Sequence, residues 1–207
     1  MSAVLPQRLD ERPVHLRGSR LARWILRRAG WQFLFDGLPA AQGIIVVYPH
    51  TSNWDFVFGI LAKWGMGVQA SFWAKDSLFR VPVFGAWLRS LGGLPVVRGS
   101  RSGIVASTAA ELARARDEGR FMWLALAPEG TRSHGPGWRS GFYRVALQSQ
   151  VPVALAVLDY GRRRVGIDSC WQLSGNPEAD FAAFAARLED CRGCRPQLAA
   201  PVRLIES

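Results

Sequence analysis

The chain has 207 residues, 49% of them hydrophobic, and a formal net charge of +10 carried almost wholly by arginine, since Lys63 and Lys75 are the only lysines. That length and apolar content suffice for one sizeable core. No repeat of about 20–50 residues suggests a solenoid, and no uncharged apolar stretch of about 18 residues suggests a membrane-spanning helix. The charge favours anionic partners, whether phospholipid headgroups, phosphorylated substrates, an acidic carrier protein or nucleic acid. Arg8, Asp10, Glu11 and Arg12 stand near the N-terminus with no apolar segment before them. The expectation is therefore a chain without a signal peptide or transmembrane helix, cytoplasmic and peripheral at the inner face of the cell membrane.

In chain order, residues 16–35 suggest an amphipathic helix interrupted or ended near Gly30. Arg17, Arg20, Arg23, Arg27 and Arg28 share one broad face with Trp24, opposite Leu21, Ile25, Leu26, Ala29 and Phe33. Such a helix suits a lipid interface, and equally a docked surface helix with its arginines in water. This basic segment, residues 1–35, is set apart from an α/β domain spanning 36–207. The apolar run 44–48 predicts a buried strand, followed by a helix from near Asn53 toward Trp64. Residues 73–91 are aromatic and apolar, with Pro82 expected to restrict helix there, and Gly92-Gly93 precedes a short strand 94–97. A helix over 102–118 follows, then a strand over 121–127 closed by Pro128. A short helix over 141–149, a strand over 153–158 and a helix over 181–191 complete the pattern. This alternation predicts a single-domain α/β fold with a mainly parallel or mixed sheet flanked by helices.

Three candidate sites each follow an apolar run: His50 to Asp55, Arg98 to Arg101, and Glu129 to Ser133. In a parallel sheet such loops converge on one edge. A neutral imidazole can accept a proton, and a carboxylate on the other ring nitrogen of His50 would fix the tautomer. An offset of five places the two on different faces of one continuous helix. The pair therefore works only with His50 in the loop and Asp55 in the first helical turn, a position that the capping-box spacing Ser52-x-x-Asp55 supports. By itself that spacing also reads as a cap without chemistry. Gly130 admits close backbone approach, Thr131 offers a hydroxyl, and Arg132 a fork of donors, a set suited to a phosphate monoester. Arg98 would add a second phosphate donor. Cys191 and Cys194 form one C-x-x-C, but no second Cys or His pair completes a zinc site, so no metal is expected.

His50-x4-Asp55, Gly93-Leu-Pro-Val-Val-Arg98, Pro128-Glu-Gly-Thr-Arg-Ser133 and Val151-Pro-Val153 together resemble the four ordered blocks of the glycerolipid acyltransferases, the His-x4-Asp family typified by 1-acylglycerol-3-phosphate (lysophosphatidate) acyltransferase. The resemblance implies His50 as general base, Asp55 orienting it, and Arg98, Glu129, Gly130, Thr131 and Arg132 holding the acceptor's phosphate end. It implies no cofactor, an acyl-CoA or acyl carrier protein donor, a lysolipid acceptor and an anionic membrane surface as partners. Pro49 stands where the family commonly has Asn, the second block lacks its aromatic, Ala127 replaces Phe, and Ala154 and Leu155 occur where a second proline is usual. Those departures leave room for a non-glycerol acceptor. A non-catalytic lipid-binding relative is the main rival reading, and the intact His50 and Asp55 count against it. A phosphoester hydrolase would want a metal cluster or nucleophile that is not visible, and no nucleic-acid motif accompanies the basic charge.

Overall fold

A computed structural model describes residues 5–96 and 101–205. The strands are β1 (Gln7–Arg8), β2 (Gln32–Leu34), β3 (Gln42–Tyr48), β4 (Ala70–Lys75), β5 (Gly93–Val96), β6 (Met122–Leu126), β7 (Trp138–Arg139), β8 (Val153–Asp159), β9 (Arg164–Gln172) and β10 (Leu204–Ile205). Between them run α1 (Arg20–Arg28), α2 (Trp54–Met66), α3 (Pro82–Ser90), α4 (Arg101–Asp117), α5 (Gly141–Ser149) and α6 (Pro177–Leu188). The main sheet has the order β1-β9-β8-β3-β6-β4-β5, with β2 also on β9. From β8 to β5 all neighbours are parallel, whereas β9 runs antiparallel to β8. The result is one α/β domain on a mixed, mostly parallel sheet.

Strand alternation decides which helices cover which face. Ile44, Val46 and Tyr48 of β3, with Val153, Leu155 and Val157 of β8, pack under α4, α5 and α6 around the fully buried Trp138. Ile45, Ala154, Ala156 and Leu158 face the other way, toward Leu26 of α1 and Ala62 and Met66 of α2. Both faces of β3 and β8 are therefore dry, which is why their sequences read as unbroken apolar runs.

Several elements differ from the sequence expectations. The N-terminal helix spans only Arg20–Arg28: Ser19 Oγ accepts the Ala22 amide at one end, and Gly30, at φ +77°, turns the chain at the other. Residues 32–34 then join the sheet as β2 rather than prolonging the helix. Within α1 the buried residues are Ala22 and Leu26, while Leu21 and Ile25, assigned to the apolar face, are exposed. Pro82 starts a helix instead of restricting one, because a first-turn position needs no N–H donor. The last helix begins at Pro177, with Asn176 Oδ1 accepting the Glu178 and Ala179 amides. β9 escapes a search for apolar runs because Arg164 and Asp168 interrupt it.

α1 sits close against α2, with the Ser19 amide donating to the Trp64 carbonyl at 2.7 Å. A Cβ on Gly18 would lie 1.7 Å from the Gly65 carbonyl oxygen, which is backbone and has little freedom to move. Gly18→Ala should therefore lower stability by about 1–3 kcal/mol through overpacking, read as a fall in denaturant midpoint. An unchanged midpoint would show that this approach is loose.

Candidate active site

β3 and β6 are adjacent and parallel, so the loops leaving their carboxyl ends lie side by side. His50 stands in the first loop and Asp55 in the opening turn of α2, the one arrangement in which an offset of five lets them meet. His50 Nδ1 lies 3.3 Å from Asp55 Oδ2. The same carboxylate oxygen accepts the Thr51 amide at 2.6 Å and the Ser52 amide at 2.8 Å, while Oδ1 accepts the Tyr160 hydroxyl at 2.9 Å. Ser52 Oγ in turn accepts the Trp54 amide. Asp55 thus gathers two amides of the loop before the helix and the imidazole at once, whereas Asn53, the helix N-cap, makes no side-chain capping bond. With Nδ1 engaged as donor, Nε2 is left as the acceptor, and the His50 side chain keeps some access to solvent.

Glu129 is buried, and both its oxygens are occupied: Oε1 accepts the His50 amide at 2.6 Å and Oε2 the Ala200 amide at 2.8 Å. Its carboxylate therefore pins the histidine loop to the C-terminal segment and faces away from solvent. Gly130, Thr131 and Arg132 form the exposed turn beyond it, in which Thr131 Oγ1 accepts the Ser133 amide. Arg98 lies outside the described residues. Val151–Val153 sits at the opposite, amino end of the sheet, where Ile44 pairs with Val153, well removed from the histidine loop.

Two side chains escaped the sequence reading. Arg139 packs against Gly130, its Nε where a Cβ would fall within 2.5 Å, and so adds a cation beside the exposed turn. Tyr160 lies just past β8, the third apolar run, and the strand-end rule that singled out the other loops would have found it. The fully buried Asp159 shapes its hairpin, accepting the Gly161, Arg162 and Arg192 amides on Oδ1 and pairing with Arg164 on Oδ2. The Tyr160 ring stands edge-on to Trp31, with centroids 5.0 Å apart. Burial and the neighbouring Asp55 push the phenol well above its ordinary value, so it remains a donor.

Electrostatically the two carboxylates diverge. Burial would raise Asp55, but the bonds from His50, the Ser52 amide and Tyr160 outweigh it and hold its carboxyl below the usual value. For Glu129 burial wins over the Ala200 and His50 amides and pushes the carboxyl up. Among the described residues no cluster of three His, Cys, Asp or Glu is arranged to hold a metal ion.

The fold is thus an α/β sheet that carries a carboxylate-contacted histidine at its carboxyl edge. Residues 35–157 match the family model described as Acyltransferase, more than half of the chain. The protein belongs to the acyltransferase family and is an O-acyltransferase. The fold is similar to the crystal structure of the 1-acyl-sn-glycerophosphate (LPA) acyltransferase PlsC from Thermotoga maritima, with a TM-score of 0.51 and 19% identity over 82% of this chain and 73% of that one. Comparison with curated protein sequences gives no match.

The pKa directions set a stability test. Asp55 has a folded value below its unfolded one, so its contribution is full above the ordinary carboxylate range and is lost as pH falls through the folded value. Glu129 has the opposite sign: its contribution is full below the unfolded value and is lost as pH rises through the raised folded one. In urea titrations between about pH 3 and 7, Asp55→Asn should show a smaller gain in midpoint with rising pH than the native protein, and Glu129→Gln a larger one. An Asp55→Asn profile as steep as the native would contradict the assignment.

Proposed function

We propose that the protein moves a fatty acyl group from an acyl thioester, on coenzyme A or acyl carrier protein, to the hydroxyl of a lysophospholipid such as 1-acylglycerol-3-phosphate. The observation that carries this reading is the 3.3 Å contact of His50 Nδ1 with Asp55, which leaves Nε2 as a base at the carboxyl edge of the sheet. His50 takes the proton from the acceptor hydroxyl as its oxygen attacks the thioester carbonyl. A C–O bond forms, the C–S bond breaks as the tetrahedral intermediate collapses, and the imidazolium returns its proton to the departing thiolate. No acyl-enzyme is needed. Gly130, Thr131 and Arg132 supply donors for the acceptor's phosphate, with Arg139 beside them, and Arg98 is proposed to join them. Glu129 serves this scheme by holding the His50 amide.

Both substrates are amphiphiles, so the reading includes work at the inner face of the cell membrane. No helix among the described residues is long and apolar enough to cross a membrane.

Acceptor-dependent thiol release, followed with acyl-CoA or acyl carrier protein and a panel of lysolipids, tests the reaction. Loss of general-base assistance should make His50→Ala slower by about 10²–10⁴-fold with melting unchanged. A folded His50→Ala protein of near-native rate would overturn the assignment, and thiol release without acceptor would indicate hydrolysis.

Tyr160→Phe keeps the ring packing but removes the donor to Asp55. Turnover should fall roughly tenfold, the worth of one hydrogen bond to a charged group. The acid limb of the pH–rate profile should move upward as Asp55 loses a bond to its ionised form. An unmoved acid limb would give Tyr160 a packing role only.

A further inference from the structure

The large apolar side chains left exposed on helices are distributed one-sidedly. Leu21 and Trp24 on α1, Trp54 and Trp64 on α2, and Val83 and Phe84 on α3 all face solvent, Val83 at 85% and Trp54 at 62% exposure. On α4, α5 and α6, which cover the other face of the sheet, Leu147 is the single comparable residue among those described. The three helices also adjoin. α1 is hydrogen-bonded to α2 through Ser19 and Trp64, and α2 meets α3 through the Phe56 and Trp87 rings, 5.9 Å apart. An apolar surface of this extent on a folded domain marks a place of contact.

Charge narrows the kind of partner. α1 and α3 contain no acidic residue, and the one in α2 is the buried Asp55. Arg20, Arg23, Arg27 and Arg28 of α1 form no ion pair among the described residues, whereas Arg114, Arg116 and Arg187 of α4 and α6 each have a carboxylate partner. Arg20, Arg23 and Arg27 line a groove of about 760 Å³ with Trp24, Trp31 and Phe33. Unpaired guanidinium groups interleaved with indoles, beside exposed aliphatic side chains, match an interface of anionic headgroups above hydrocarbon. Trp54 of this surface shares the first turn of α2 with Asp55.

We infer that α1, α2 and α3 together form the face that seats this protein on an anionic bilayer, and that the N-terminal helix is only one third of it. The surface carries this inference independently of the chemistry at His50, and it deepens the proposed reading by giving an amphiphilic acceptor a route from the bilayer to the site.

The test is co-sedimentation of the full chain with phosphatidylcholine vesicles made with and without phosphatidylglycerol. The native protein should bind the anionic vesicles and be released by salt. Leu21→Glu, Trp64→Glu and Val83→Glu, one on each helix, should each weaken binding roughly tenfold, the scale of replacing one inserted apolar side chain by a charge. Leu147→Glu on the opposite face should bind like the native protein. No binding by the native chain would overturn the inference. So would native-like binding of Val83→Glu, which would restrict the face to α1, or a native dimer that Val83→Glu dissociates, which would make a second copy the occupant. A water-soluble short-chain donor and acceptor should still be turned over by all four variants, so that failed docking and failed catalysis are read separately.

Discussion

The buried carboxylate of Asp55 is the point on which the site depends. It accepts two backbone amides of the histidine loop, the imidazole and the Tyr160 hydroxyl. Desolvating a carboxylate is costly unless such donors surround it, and here the donors are the very groups whose placement matters. The loop amides can reach it only if α2 begins where it does, and the imidazole only if the loop is folded back on that first turn. Helix start, loop shape and base orientation are thus satisfied together or not at all. Glu129 repeats the device one strand away, tying the His50 amide to the Ala200 amide.

Three parts of the chain that lie far apart in sequence therefore meet at one loop. The family match ends at residue 157, yet Tyr160 bonds Asp55, the Arg195 amide bonds Thr51 Oγ1, and Ala200 bonds Glu129. On the other side, Trp31 from the segment after α1 backs the Tyr160 ring. The family-matched segment supplies His50 and Asp55, and the flanking segments bond to the loop that carries them. Residues 5–35 are joined to this arrangement through β1, β2 and α1.

What the sequence discloses follows from how each residue's surroundings are made. β3 and β8 are legible because both their faces are buried, and β6 because no polar residue interrupts it. The His50 and Asp55 pair is legible because a cap signal and an apolar strand bracket it. β9 is hidden by Arg164 and Asp168, whose charges are met by Asp159 and Arg187, partners that only the folded chain brings near. Pro82 misleads because proline bars a helix interior but suits its first turn. The inward turn of Glu129 is equally invisible, since its partners are backbone amides, which have no sequence signature. α1 shows a further limit: helical periodicity separates its arginines from its apolar residues, but does not reveal that Leu21 and Ile25 stay exposed.

The location of Val151–Val153 changes how variation there should be understood. β8 is an interior strand, paired with β3 on one edge and β9 on the other, so its amides are spent in the ladder on both sides. A second proline at 154 or 155 would delete one of those donors. Ala154 and Leu155 instead fill opposite cores, one under α1 and α2 and the other under α4, α5 and α6. A substitution at either position is thus felt by a helical layer closed on the sheet. Under the proposed reading, changes aimed at acceptor choice belong at the carboxyl edge, at the exposed Thr131 and Arg132, which lie outside the ladder.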